Sequence, residues 1–295
     1  MVSTGPRVIV SARISPMPPP KPPTPTLDEI IEHKREEIER ARSRTPMREL
    51  EAMVAQADPP RNFFSAVTRR PKDTATSVIA EIKRRSPSAG LIRAEYAEDF
   101  RPERIAQQYF ENGASAISCL TDEKFFGGSL AYIERIRSAV PLPVLRKDFI
   151  LDPWQLWESR AHEADAVLLI AECLTEGQIL DMLILAQRLQ MTVLLEVHSA
   201  ENLLKMRPHV GFPHPGYCLL GINNRNLASM TTDLGHTIRL ADMVDDRGVL
   251  VSESGIRSRE DLERLRSEDI RIVLVGEHLL RAEDPGAALA KLLER

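Results

Sequence analysis

From Val78 to the C-terminus the chain alternates short apolar runs with longer amphipathic ones, and this alternation limits the fold more than any other feature. The short runs span 78–82, 116–120, 144–147, 166–170, 192–197, 218–222, 249–253 and 271–275. They are brief and almost continuously apolar, as strands covered on both faces are. Helix-like segments lie between and after them, at 102–112, 129–139, 153–163, 176–189, 199–206, 237–243, 259–266 and 285–293. Several open on proline or on a Ser, Thr or Asp cap, which suit a first helical turn. Eight such units predict an α/β protein, a closed (β/α)8 TIM barrel. An open doubly wound sheet is the alternative. The Gly-rich dinucleotide fingerprint that would favour it is absent, because Gly127-Gly128 has neither the spacing nor a preceding strand.

Upstream of the barrel the composition changes twice. Residues 1–25 carry Pro16, Pro18, Pro19, Pro20, Pro22, Pro23 and Pro25, with Arg7, Arg13 and Lys21 but no acid. They read as a disordered, partly polyproline-like tail; a transit peptide is the other reading, but prolines oppose the amphipathic helix it needs. Thr26 with Glu29 then forms a capping box, opening a helix to about Ser43, and a second helix runs from Met47 to Ala55. Asn62 to Val67 is a short apolar helix whose Phe63 and Phe64 are suited to a lid or plug. One domain is expected over 26–295, with the helices of 26–70 as an N-terminal helical extension to the barrel.

Charge narrows the partners. A net charge of -4 with 28% charged residues offers no global basic field, so nucleic acid is not expected and any anion site must be local. No apolar stretch approaches the ~18 residues of a membrane span. Cys119, Cys173 and Cys218 are an odd number, two of them in strand-like runs, which reads as reduced thiols in the cytoplasm.

Barrels of this kind put their chemistry at the C-terminal strand ends. The first strand ends with Glu81 and Lys83 two residues apart, on the same side of an extended chain. The third ends at Lys147, the fifth at Glu196, the sixth runs into Asn223 and Arg225, and the seventh into SESG. Two lysines and two glutamates on separate strands support acid–base work; any one alone would more often be a structural ion pair. SESGIRS and VGEHLL each place a glycine where a strand turns into a helix, where free backbone amides suit a phosphate. His209 and His214 occupy a Pro/Gly loop without a ligand constellation, so no metal is expected. His198 reads as a polar helix-start histidine, Trp154 and Trp157 as packing, and Arg84-Arg85 as a solvated pair.

The motifs EIKRRSPSAG, ISCLTDEKFFGGS, VLRKDF, ADAVLLI, LLEVHS, GINNRNL, VSESGI and LVGEHLL resemble, in order and spacing, those of indole-3-glycerol phosphate synthases. The resemblance implies a cofactor-free, metal-free carboxy-lyase of tryptophan biosynthesis. Its substrate would be a phosphorylated small molecule, 1-(2-carboxyphenylamino)-1-deoxyribulose 5-phosphate. It further implies Glu81, Lys83, Lys147, Glu196, Asn223 and Ser254 as catalytic residues. Lys83, Ser86, Arg225, Gly255, Gly276 and Glu277 would surround the phosphate, and Leu120, Phe125, Phe149 and Leu168 would line an aromatic pocket. Lys147 would protonate the ketone oxygen during ring closure, leaving Glu196 and the Glu81–Lys83 pair to share the dehydration in an order left open. Glu277 departs from the small hydroxyl residue frequent there, so only a backbone contact would survive at that position. A cytoplasmic monomer or weak homodimer is expected. A phosphosugar isomerase would need a cysteine–aspartate pair that these strand ends lack, and a silent phosphate-binding barrel would not need both lysines and both glutamates.

Overall fold

The computed structural model describes residue 1 and residues 25–69, 76–226 and 231–294. The tail expected over 1–25 falls, but for Met1 and Pro25, outside the described residues. The eight expected strands form β1 (Ser77–Ile82), β2 (Ala116–Leu120), β3 (Val144–Lys147), β4 (Ala166–Ile170), β5 (Thr192–Val197), β6 (Cys218–Asn223), β7 (Leu250–Glu253) and β8 (Ile272–Val275). All neighbours pair in parallel, and β1 pairs with both β2 and β8, closing the (β/α)8 barrel so that no edge is left.

Side-chain parity divides the core in two. Ile79, Ala116, Leu145, Ala166, Leu168, Leu194, Leu219, Val251, Ile272 and Leu274 belong to one buried cluster, the barrel interior. Their alternates Val78, Ala80, Ile117, Val144, Val167, Leu195, Leu220 and Val273 pack in another with the surrounding helices. Continuing the inward parity brings Glu81, Lys147, Glu196, Asn223 and Glu253 to the C-terminal end of the interior. The apolar layers below give those charges a dry floor.

The N-terminal helices strap this barrel from mouth to base. In α1 (Leu27–Arg44), Thr26 and Glu29 make the expected capping box, and the buried stripe is Ile30, Lys34 and Ile38. Lys34 is 1% exposed, with its ammonium 2.9 Å from Asp148, 3.0 Å from Asp122 and 2.9 Å from Glu37. A buried charge is tolerated only with such company. Next, α2 (Met47–Gln56) packs on the helix Pro153–Ala161, where Trp154 is a core residue as expected. At the base, Asn62 caps α3 (Phe63–Thr68), and its buried Phe63 and Val67 join the interior cluster. Phe64 N donates to Thr192 Oγ1 at the start of β5, so α3 is the plug its phenylalanines suggested.

Two local expectations change. The helix expected over 237–243 is Gly235–Ala241, because Asp233 accepts from Gly235 N at 2.9 Å and starts the turn earlier. Of the pair Arg84-Arg85, Arg85 is exposed as expected, but Arg84 is half-buried and donates to the carbonyls of Tyr96 and Ala97 at 2.7 and 2.6 Å. Among the described residues, no helix is long and apolar enough to cross a membrane.

Candidate active site

A cavity of about 460 Å³ opens at the C-terminal strand ends. Its inner wall is a charged layer built by the parity above. Lys147 Nζ donates to Glu196 Oε2 at 2.7 Å and to Glu253 Oε2 at 3.1 Å. Asn223 Nδ2 holds the other oxygen of Glu196 at 3.2 Å, and Lys83 Nζ donates to Glu81 Oε1 at 2.6 Å. The four residues expected to converge, Glu81, Lys83, Lys147 and Glu196, come from three strand ends and all line this cavity.

The electrostatics separate the two acids that share Lys147. Burial works against each carboxylate. Lys147 and His198 outweigh it at Glu196, which is drawn down to about 2 and stays ionised. Glu253, buried beside an ionised Glu196, is pushed well above the carboxylate range and keeps its proton despite Lys147. Burial opposes the Lys147 charge too, but the ionised Glu196, with Glu81 further off, raises its proton affinity. The layer therefore presents an ammonium, a carboxylate and a carboxylic acid within one hydrogen-bonded group.

Glycine makes that crowding possible. Gly221 lies across from Glu196 in the β5–β6 register, and a Cβ there would stand 2.3 Å from Glu253 Oε1 and 3.2 Å from Leu194 Cδ1. Gly276 leaves similar room for Glu81, whose Oε1 would be 2.4 Å from a Cβ. Gly221→Ala is expected to displace the Glu253 carboxyl, cut kcat by about tenfold to a hundredfold, and cost about 1–3 kcal/mol through overpacking. Steady-state kinetics beside a denaturant titration measures both.

The other end of the cavity is basic. Ser86, Arg225, Gly255, Gly276 and Glu277 all line it, as do Arg257, His278 and Arg281. Ser254 and Gly255 have φ of 66° and 85°, a left-handed turn that costs a non-glycine about 1–2 kcal/mol. Asn224 holds it, donating to the Ser254 carbonyl and to Ser252 Oγ at 3.0 Å each. Adjacent asparagines thus divide by parity: Asn223 faces the cavity and Asn224 braces the loop. The Glu277 carboxylate lies 2.9 Å from Arg281 and 3.6 Å from Arg225, which leaves its backbone rather than its side chain to meet an anion.

Leu120, Phe149 and Leu168 line the apolar wall as expected, but Phe125 does not. Phe126 takes that place, its ring 6.3 Å from Phe149, whereas Phe125 packs edge-on to His33. Asp122 caps both amides of this turn and aims Phe126 inward, a rotation that spacing alone does not reveal. Three further residues take part: Glu253 and Lys34, which the sequence reading does not single out, and His198, which it reads as a polar helix-start histidine. Glu253 shares inward parity with Val251 and could have been found that way. His198 reaches Glu196, with Nε2 3.3 Å from Oε1. Lys34 interrupts an apolar helical stripe, which is the signal of a charge with buried partners.

A family model for indole-3-glycerol phosphate synthase matches residues 27–292. A relative from Acidithiobacillus ferrooxidans named indole-3-glycerol phosphate synthase is 46% identical over 272 residues, covering 91% of this chain and 98% of its own. One of the same name from Rhodospirillum rubrum is 42% identical over 267 residues, covering 90% and 98%. The solved 3-hexulose-6-phosphate synthase of Salmonella typhimurium aligns with a TM-score of 0.56 at 13% identity, covering 74% of this chain and 97% of its own, a likeness of fold alone.

Proposed function

The chain belongs to the indole-3-glycerol phosphate synthase family, and from that premise we propose how its barrel mouth divides the work of making indole. The reaction converts 1-(2-carboxyphenylamino)-1-deoxyribulose 5-phosphate to indole-3-glycerol phosphate, carbon dioxide and water, a carboxy-lyase step of tryptophan biosynthesis. The observation that carries the reading is the Lys147 ammonium held between Glu196 and Glu253 on the inner wall.

Ring closure joins the ring carbon bearing the carboxylate to the ketone carbon, and the ketone oxygen gains electrons as the bond forms. Lys147 stabilises that oxygen and gives it a proton, leaving a hydroxyl. The carbon–carboxylate bond then breaks, its electrons restore the aromatic ring, and carbon dioxide departs. Dehydration needs a proton on the leaving hydroxyl and loss of a proton from the neighbouring carbon. Glu196, held ionised, is the base for the second. The acid is then Lys83, beside Glu81. Asn223 orients the Glu196 carboxylate it touches. The basic end, with Ser86, Arg225 and the backbone at Gly255, Gly276 and Glu277, takes the phosphate, while Phe126, Phe149, Leu120 and Leu168 hold the aromatic ring. This chemistry runs in the cytoplasm, a location supported by three free thiols, two of them buried.

Steady-state turnover of the ribulose phosphate, followed by indole fluorescence, tests the reading; folded protein without turnover overturns it. Lys83→Met tests the division of labour. In a single turnover it is expected to release carbon dioxide at least tenfold faster than indole fluorescence appears. If the two signals slow together, Lys83 is not the dehydration acid.

A further inference from the structure

At the end of β5, Glu196 and His198 share the inward parity, and the His198 side chain is 8% exposed against the cavity wall. Its Nδ1 lies 3.0 Å from Glu172 Oε2. Glu172 is itself pinned, taking the His198 backbone N–H at 2.9 Å and Asn202 Nδ2 at 2.8 Å on its other oxygen. The second ring nitrogen, Nε2, is buried and has no aligned hydrogen bond, yet stands 3.3 Å from Glu196 Oε1. A buried ring nitrogen pointed at a reactive carboxylate is costly unless it has a task.

We propose that His198 is a positioning residue: the line Glu172–His198–Glu196 holds the Glu196 carboxylate charged and turned into the cavity, so that turnover follows the charge on His198. The proposal rests on the assignment of Glu196 as a base made above.

The groups around the imidazole support this. Glu172 comes from the turn after β4, Glu196 from its own strand, Lys147 from β3, and His236 from the helix Gly235–Ala241, with Nε2 3.0 Å from the His198 carbonyl. Burial and Lys147 disfavour a second cation, but the hydrogen bond to Glu172 and the two carboxylates outweigh them, and His198 titrates above the ordinary histidine value. When it is protonated, the imidazolium faces one oxygen of Glu196 while Lys147 binds the other. As pH rises through the His198 pKa the imidazolium is lost, and Glu196, still ionised beside Lys147, loses one of the groups that hold its carboxylate in place.

The test combines pH–rate profiles of the enzyme, His198→Asn, Glu172→Gln and the double variant with an NMR titration of the histidine rings, His198 being assigned from the peak missing in the Asn variant. The native kcat is expected to fall on the alkaline side with the same midpoint as the His198 imidazole. His198→Asn is expected to lack that limb and to run about tenfold slower at neutral pH with little change in KM. Glu172→Gln should move the limb to lower pH, and should add nothing in the Asn background. A native profile that is flat through the imidazole titration overturns the proposal, as does an alkaline limb that survives His198→Asn. Should the variants not fold, triple-resonance assignment of the native protein identifies the His198 ring, and the native profile and its titration still decide. Absence of any synthase turnover would instead remove the functional reading, while the NMR titration would continue to report the ion line.

Discussion

Lys147→Ala is expected to lower kcat by about 10³-fold while KM stays within a few-fold of native. Two losses combine in that figure. The variant has no ammonium to stabilise and protonate the ketone oxygen. It also removes from Glu196 the cation that most strongly holds it ionised, so burial and the neighbouring Glu253 raise the proton affinity of the base itself. Binding survives because the basic and apolar ends of the cavity are untouched. Steady-state and single-turnover kinetics on a variant with native circular dichroism measure the effect. Near-native kcat would show that ring closure takes its proton from another group, with Glu253 the next candidate on position.

The second large effect is on stability. Lys34→Met removes the cation from a buried cluster and leaves Asp148 and Asp122 without their α1 partner, at a cost of about 3–5 kcal/mol. Asp148 sets the pH dependence. Burial would raise its pKa, but Lys34 and Arg146 bring it down to about 2 against an ordinary 3.8. A depressed carboxylate contributes stability above its unfolded pKa and loses it as pH falls through the folded one. Without Lys34 the Asp148 pKa moves up, so the deficit is full at high pH, shrinks as pH falls through that raised pKa and vanishes below the native one. Urea titrations at pH 7 and pH 4 test this; a deficit equal at both would show that lost packing, not unpaired charge, dominates. The same variant loosens α1, whose Leu27 and Ile30 form part of the cavity wall, so a raised KM is expected with it.

Much of this was legible before any coordinates. Strand ends fell within a residue of expectation because fully buried parallel strands leave an almost unbroken apolar signature. Glu81, Lys147 and Glu196 could be collected because a barrel brings successive C-terminal ends to one mouth. Spacing points to Phe125 rather than Phe126 because a four-residue turn, Glu123–Phe126, can aim either ring inward, and the packing partners His33 and Phe149 separate the two. Glu253 and Lys34 were passed over for a related reason: each owes its role to partners far away in sequence.

Local periodicity and chain order determined the strands, the helices, the closure of the barrel and which residues reach its mouth. Those are properties of a strand and its immediate neighbours, and they repeat every two or every 3.6 residues. Only the tertiary structure decided the protonation states. Glu196 and Glu253 are the same amino acid on the same face at the same depth. One is held as a carboxylate by a 2.7 Å contact to Lys147 and by the adjacent His198, and the other is pushed toward the acid by its burial and by the charge on its neighbour. Coulomb energies depend on distances of a few ångströms across strands, and those distances are set by register and packing, which no single run of residues encodes.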